Sequence, residues 1–194
     1  LVLWRSLLQW IGGAVTLLTV VLILAPARIG GTPDATIVAI ETGGRTERAR
    51  IMGTAFRILP LYAALTGACV VLLAITGVPA FDAVSLAMSA ISTGGLMSHD
   101  GGLAIYDSLA VEAIVGLFMF AGATSIVWHR MLFWRRWNAL KQHREAYWMA
   151  LGCLGLGLLF GTGFYLGIDG PSGLDPAHAV WKGLITAISV ISTT

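Results

Sequence analysis

Four apolar stretches without a charged residue limit the fold of this chain more than any other feature. They are Ser6–Ala27, Ile58–Phe81, Ala113–Trp128 and Ala146–Ile168. A helix rises about 1.5 Å per residue, so roughly 20 apolar residues cross the ~30 Å hydrocarbon core of a bilayer. Charged residues make up only 11% of the chain, whereas soluble domains carry about 25%. The sequence therefore predicts an all-α polytopic membrane protein whose solvent is lipid.

Two arginine-rich connectors lie between these stretches, at residues 28–57 and 131–145. Positive residues concentrate in cytoplasmic loops, so both connectors are predicted to be cytoplasmic and the chain to lie in the cell (inner) membrane. The second connector mixes tryptophan with basic residues, a pattern also found in nucleic-acid-binding proteins. Because it flanks an apolar stretch and the net charge is only +2, an interfacial aromatic belt is favoured and no nucleic acid is expected. Trp4 and Trp10 are likewise predicted to be interfacial.

A short uncharged segment, Ala83–His99, follows the second apolar stretch and is too short and too broken by glycine to cross a membrane comfortably. Within it, Ser89–Thr93 has the pattern Ser-x-Ile-Ser-Thr, which recurs about 100 residues later at Ser189–Thr193. Recurrence at a fixed offset indicates a repeated architecture. We expect repeated helix–pore loop–helix units of the potassium-channel-like type, with both pore loops on the external side.

The residues that follow each short helix are suited to binding a cation. Non-helical backbone at membrane depth must be buried in protein or line water, and inward-facing carbonyl oxygens can replace the hydration shell of an ion. Glycine permits the backbone angles that turn carbonyls inward, and the C-terminus of a helix carries partial negative charge. The predicted ion-filter residues are Ser92, Thr93, Gly94, Gly95, Ser192, Thr193 and Thr194.

Glycine spacing predicts where helices approach one another closely. The candidates are Gly12-Gly13 in the first apolar stretch and two G-x-x-x-G patterns in the fourth, at Gly157–Gly161 and Gly163–Gly167. The second short helix is predicted to start with Asp175 as its N-cap and Pro176 as its first helical residue.

In combination, these motifs resemble the TrkH/KtrB superfamily of potassium uptake subunits. The resemblance is carried by Leu3–Gly13, Phe81–Gly95, Ser98–Asp100 and Ser189–Thr194. It implies potassium transport through a pore lined by backbone carbonyls, with sodium permeation as the alternative within the superfamily. K⁺ would be the transported ion, with no cofactor, no catalytic residue and no other metal. One departure is Leu96, where the family usually has phenylalanine.

The resemblance also implies an order of units along the chain, because family members carry four linked repeats. Residues 1–27 would be the second helix of a preceding repeat, and 58–130 a complete repeat. Residues 146–194 would be the first helix and pore helix of the next repeat. The filter glycine of the complete repeat falls on Gly95, beside the carbonyls of Ser92, Thr93 and Gly94. Since the chain starts at Leu1 and stops within a motif, we expect it to be a segment of a longer protein.

The resemblance also implies partners, namely the lipid bilayer, a second copy in a homodimer, and a cytosolic nucleotide-binding regulatory subunit.

Three functions other than a pore were considered. A secondary transporter with broken helices would place ionisable residues mid-span, which the sequence lacks. An intramembrane enzyme would need a nucleophile with a base or metal, and the four histidines lie near predicted interfaces or in connectors. A purely structural membrane subunit leaves the repeat without a reason.

Overall fold

The computed structural model describes residues 1–27, 47–99, 101–124, 129, 145–167 and 175–194. Six α-helices and one 3₁₀ turn occur in these ranges, and no strand does. They are α1 (Val2–Ala27), α2 (Glu47–Ile75), α3 (Ala80–Ile91), the 3₁₀ turn (Gly102–Tyr106), α4 (Leu109–Ala123), α5 (Glu145–Tyr165) and α6 (Pro176–Ser192). The predicted all-α class is therefore confirmed.

Three of the described helices contain a window long and apolar enough to cross a membrane, namely Val2–Leu22, Ala55–Ile75 and Ala146–Tyr165. Helices α3 and α4 are apolar but shorter. The predicted third span, Ala113–Trp128, coincides in part with α4, and its last residues, 125–128, lie outside the described ranges. Large apolar side chains remain exposed on the spanning helices, as expected for lipid-facing surfaces.

The first helix boundary to differ from expectation is the end of α2. The uncharged stretch runs on to Phe81, but the helix stops at Ile75. Gly77 has φ +88°, and the Gly77 and Val78 amides donate to the carbonyls of Ala74 and Leu73 at 3.1 and 3.2 Å. This pair of bonds is a Schellman motif, which ends a helix with a left-handed residue.

The start of α2 also differs, because the helix begins at Glu47, within the predicted connector 28–57. The rest of that connector, and nearly all of connector 131–145, lies outside the described residues. At α6 the predicted start is confirmed, since Asp175 occupies the N-cap position and Pro176 begins the helix, although the Asp175 side chain makes no capping hydrogen bond.

Helix α3 lies at the centre of a core built from α1, α2 and α4. Its residues Ala83, Leu86, Ala87 and Ala90 are all at most 2% exposed. Trp10 of α1 packs here rather than in an exposed belt. Its indole nitrogen donates to Thr66 Oγ1 at 2.9 Å, and its ring lies 5.2 Å from that of Tyr62. The burial of these four residues holds α3 in place within the core.

Helices α5 and α6 form a second packed pair, joined through glycine. A methyl group added to Gly157 would lie 3.1 Å from Leu184 Cα, and one added to Gly161 would lie 3.0 Å from Val180 Cα. The close approach predicted from the first G-x-x-x-G pattern is thus confirmed. Among the described residues no atom lies within 4 Å of a methyl group added to Gly163 or Gly12, so the close approach predicted at these two positions is not seen there.

Candidate functional site

The first candidate loop begins with a tight turn at the end of α3. The Thr93 amide donates to the Ala90 carbonyl at 3.4 Å, and the Gly94 amide donates to the Ser89 carbonyl at 2.8 Å. Thr93 itself has φ +51°. These bonds define a Schellman motif in which Thr93 occupies the left-handed position.

The second candidate loop leaves α6 by the same turn. The Thr193 amide donates to the Val190 carbonyl at 3.3 Å, and the Thr194 amide donates to the Ser189 carbonyl at 3.0 Å. Thr193 has φ +59°. The residues of these two bonds, Ser189, Val190, Thr193 and Thr194, each lie 100 positions after their counterparts in the first loop. The sequence repeat is therefore also a repeat of backbone geometry.

Threonine is an unfavourable residue for the left-handed position in both turns. A branched Cβ crowds the backbone there, and the left-handed conformation costs an ordinary L-residue about 1–2 kcal/mol. The chain uses glycine where α2 and α5 end, since Gly77 and Gly167 have φ +88° and +72°. A strained residue that persists at two equivalent positions indicates a functional constraint.

Serine side chains of the short helices hold both loops. The Leu96 amide donates to Ser89 Oγ at 2.7 Å, and Ser89 is 3% exposed. In the second loop Ser189 Oγ donates to the Thr194 carbonyl. The two serines therefore bond to their loops in opposite senses, once as acceptor and once as donor. Both belong to the repeated sequence pattern, yet neither was among the predicted site residues.

Helix α1 covers one side of the first loop. Gln9 Nε2 donates to the Gly94 carbonyl at 2.9 Å, and a methyl group on Gly13 would lie 3.1 Å from Ser92 Cβ. The close approach predicted for Gly13 is confirmed, and it involves the first loop at Ser92 as well as Tyr62 of helix α2. Gln9 was missed as a site residue, and the only available signal was an amide inside an otherwise apolar stretch.

The two loops meet at Gly95 and Thr194. Gly95 has φ +66°, and a methyl group added to it would lie 3.2 Å from the carbonyl carbon of Thr194 and 3.8 Å from its Cα. A cavity of about 350 Å³ adjoins this meeting point, and its lining includes Ser89, Ser189 and apolar side chains of α3, α4 and α6. Two segments that are far apart in sequence therefore share one small region.

The structure places the seven predicted residues in two groups. Ser92, Thr93, Gly94 and Gly95 form the first turn and its exit, and Ser192, Thr193 and Thr194 form the second turn. The two groups approach each other through Gly95 and Thr194. The Ser192 carbonyl accepts the Thr193 hydroxyl at 2.6 Å. The assignment of these residues as ion ligands stays a prediction.

A polar cluster connects the start of α3 to the segment after the first loop. Asp82 is 7% exposed, and its Oδ2 lies 3.3 Å from Nε2 of His99. The Ser98 hydroxyl is the main cause that lowers the pKa of Asp82; burial opposes it and His99 adds to it. The Tyr106 hydroxyl is buried beside this carboxylate without a hydrogen bond of ordinary geometry. The cluster ties both ends of the short helix and its loop together.

Helices α4 and α6 are joined by a polar contact outside the loops. Trp181 Nε1 donates to Glu112 Oε2 at 2.6 Å. Glu112, an acidic residue in the first turn of α4, thus has an indole partner. Among the described residues, no three or more His, Cys, Asp and Glu side chains are grouped so as to hold a metal ion.

Comparison with known proteins gives consistent matches to one family. The family model for TrkH, described as a cation transport protein, matches residues 1–166. The Trk system potassium uptake protein TrkH of Salmonella typhimurium is 33% identical over 120 residues, which cover 60% of this chain and 24% of that protein. The protein of the same name from Halomonas elongata is 29% identical over 185 residues, which cover 92% of this chain and 38% of that protein.

The fold is similar to that of a solved transporter. The crystal structure of the potassium transporter TrkH from Vibrio parahaemolyticus superposes with a TM-score of 0.72 at 24% identity, covering 97% of this chain and 37% of the solved chain. This chain therefore spans well under half the length of the proteins that it matches.

Proposed function

Because the chain belongs to the TrkH family of cation transport proteins, we propose that it contributes to a potassium uptake pore in the cell membrane. Its two loops, Ser92–Gly95 and Ser192–Thr194, would form part of the ion filter. The names of the relatives in Salmonella typhimurium and Halomonas elongata, which are potassium uptake proteins, support potassium as the ion.

One observation carries this proposal, namely the recurrence of a strained turn at two points that converge in space. Both short helices end in a left-handed threonine with φ +51° and +59°. The loops that follow come together at Gly95 and Thr194. A structural turn would be satisfied by glycine at less cost, so strain at both positions favours a role for the backbone beyond chain reversal.

The chemistry of the turns supports a cation as the ligand. A helix C-terminus carries about half a negative charge, and both α3 and α6 direct that end into the loops. Carbonyl and hydroxyl oxygens are plentiful there, and carbonyl rings are the usual means by which channels replace the water around K⁺. The Gly94 carbonyl also accepts a bond from Gln9, so α1 supports the filter from outside.

The wider arrangement follows the repeat order expected from the sequence. In this proposal α2, α3 and α4 form a complete helix–pore loop–helix unit, and α5 and α6 begin the next unit. The arginine-rich connectors would face the cytoplasm and the loops would face outward. A homodimer and a cytosolic nucleotide-binding regulatory subunit complete the proposal, and the word "system" in the relatives' names favours several components.

The test is a glycine-to-alanine pair in the protein expressed at its natural length. Gly95→Ala forces a side chain into a left-handed residue that lies 3.2 Å from backbone of the other loop. Because this strain amounts to about 1–2 kcal/mol, we expect K⁺ uptake by Gly95→Ala to fall roughly 5- to 30-fold. Gly95→Asp should abolish uptake. Uptake is measured in cells that lack other potassium uptake systems, and in liposomes with K⁺ or Na⁺.

Gly12→Ala is the matched control, because an added methyl group at Gly12 has no atom within 4 Å. It should transport as the unmodified protein does. If Gly95→Ala and Gly95→Asp both retain full uptake and selectivity while folding normally, the filter assignment is incorrect. Equal Na⁺ and K⁺ flux in the unmodified protein would favour the sodium-permeable alternative.

A further inference from the structure

The bond between Gln9 and the first loop has the features of a specific restraint. Gln9 Nε2 donates to the Gly94 carbonyl at 2.9 Å across a sequence separation of 85 residues. Only the NH₂ end of an amide can donate to a carbonyl oxygen, so Gly94 determines which way the amide faces. The other end, Gln9 Oε1, is buried without a hydrogen-bond partner among the described residues.

A buried amide oxygen without a partner is unfavourable, since the desolvation of that atom is not compensated. A purely structural contact between α1 and the loop would be better served by an apolar side chain of similar size. The Gln9 amide therefore lowers stability through its unpaired oxygen, and the bond that it makes to the loop is the one to the Gly94 carbonyl.

The approach of Gln9 also depends on glycine at position 94. A methyl group there would overlap Gln9 Oε1 and lie 2.7 Å from its Cδ. Gly94 has no left-handed φ that would require glycine for backbone reasons, since the positive-φ residues of this loop are Thr93 and Gly95. The close packing of the Gln9 side-chain amide therefore explains why position 94 is a glycine.

The bond acts on the most easily reoriented peptide group of the loop. The Gly94 carbonyl belongs to the peptide that joins Gly94 to Gly95, and neither residue has a Cβ to limit rotation. Rotation of this peptide would exchange the directions in which the Gly94 carbonyl oxygen and the Gly95 N–H group face, and a carbonyl oxygen attracts a cation. An N–H group repels a cation, so a change in this one peptide would alter ion binding.

We propose that Gln9 is a positioning residue that fixes the Gly94–Gly95 peptide and thereby sets the discrimination between K⁺ and Na⁺ at the first loop. This inference rests on the proposed ion-filter function. Gln9 acts from α1 through the Gly94 carbonyl and need not touch the ion. The same amide would then couple any shift of α1 along its axis to the geometry of the filter.

The test compares Gln9→Met with the unmodified protein at its natural length. Methionine keeps the length of the side chain and removes both the donor to Gly94 and the unpaired acceptor. The lost bond and the relieved acceptor oppose each other in the free energy of unfolding, so folding should change little. The K⁺-to-Na⁺ ratio of initial uptake rates should fall by about two- to tenfold, the range that corresponds to one neutral hydrogen bond. A structural role would change the amount of folded protein and leave this ratio unaltered.

Two control variants on α1 separate the amide from the helix that carries it. Thr16→Val removes an exposed hydroxyl that donates within α1, to the Gly12 carbonyl at 2.9 Å, and should not change the ion ratio. Trp10→Phe breaks the 2.9 Å bond to Thr66 on α2 and should lower stability without altering the ion ratio. Should Gln9→Met fail to accumulate in the membrane, Gln9→Asn keeps an amide but shortens it by one methylene, and the ratio should again fall.

The outcomes distinguish this inference from the function on which it rests. An unchanged ratio in both Gln9→Met and Gln9→Asn, with Gly95→Ala still impaired, would overturn the role of Gln9 and leave the filter standing. A ratio that shifts equally in Trp10→Phe would assign the effect to helix packing and overturn it as well. If neither the Gly95 nor the Gln9 variants alter transport, the proposed function fails.

Discussion

Gly183 lies where α6 presses on the backbone of α5, and its replacement tests how the second loop is held in place. A methyl group on Gly183 would overlap the Gly157 carbonyl oxygen and the Gly161 nitrogen, and would lie 2.7 Å from the α-carbon of Gly161. These neighbours are backbone atoms of a helix, so no side-chain rotation can relieve the overlap. Gly183→Ala must push the two helices apart.

The size of the effect follows from two opposing terms. Glycine to alanine inside a helix normally stabilises by about 0.5–1 kcal/mol because the unfolded chain loses freedom. Ordinary van der Waals separations begin near 3.4 Å, so moving the new methyl group clear of the α-carbon of Gly161 alone requires a shift of roughly 0.7 Å. Overpacking of this kind costs about 1–3 kcal/mol. The stabilising term is common to both variants, so Gly183→Ala should be less stable than an unhindered glycine-to-alanine change by about 1–3 kcal/mol.

Gly155→Ala supplies the unhindered reference, because an added methyl group at Gly155 on α5 has no atom within 4 Å. The two variants are purified in detergent at natural length, and thermal unfolding is followed by intrinsic tryptophan fluorescence. We expect Gly183→Ala to unfold at a lower temperature than the unmodified protein and Gly155→Ala at the same or a higher one. If Gly183→Ala unfolds at or above the temperature of Gly155→Ala, the described packing of α5 against α6 is incorrect.

Two further predictions concern the first loop. Ser89→Ala removes the acceptor of the part-buried Leu96 amide and should cost about 1–3 kcal/mol of unfolding free energy and slow K⁺ uptake. Ser85→Ala, on the same helix with an unpaired hydroxyl, should be neutral, and equal losses in the two would contradict this role. The pKa of Asp82 is lowered below its ordinary 3.8, chiefly by Ser98, so its ionised form stabilises the fold above that value and the contribution is lost as pH falls through the lowered pKa. Asp82→Asn should reduce stability at neutral pH and flatten the loss of stability in acid, as measured by unfolding between about pH 2 and 7; parallel pH profiles would refute it.

The architecture could be predicted largely from hydropathy. A bilayer requires long uncharged helices, and only a few stretches of the chain are long and uncharged enough to form them. The helix ends were harder to place. The apolar stretch Ile58–Phe81 gives no hydropathy signal at Ile75, and the break depends on a local backbone feature, Gly77 with its two Schellman bonds. Thr76-Gly77-Val78-Pro79 contains that signal, since glycine followed shortly by proline is typical of a helix end.

The site was only partly predictable for a different reason. The repeated Ser-x-Ile-Ser-Thr pattern located both turns, because a repeat can be read without knowledge of the fold. Gln9 could not be located this way, since its bond to Gly94 spans 85 residues and has no counterpart in the repeat. Glycine spacing was similarly limited, since it led to Gly13 and Gly161 but also to Gly12 and Gly163, where an added methyl group would meet no described atom within 4 Å. Glycine spacing identifies positions at which helices can approach closely, and the packing of the folded chain determines at which of them they do.

Four described helix ends that have a left-handed residue show what is general and what is specific in this chain. The spanning helices α2 and α5 have glycine at the left-handed position, Gly77 and Gly167, whereas the short helices use Thr93 and Thr193. If chain reversal were the only requirement, glycine would serve all four ends at less cost. Threonine differs from glycine by a hydroxyl and by a branched Cβ that stiffens the backbone once the turn is formed. The loops thus combine a stiff, strained residue at each turn with flexible glycines after the first, and it is this flexible part that Gln9 restrains from outside.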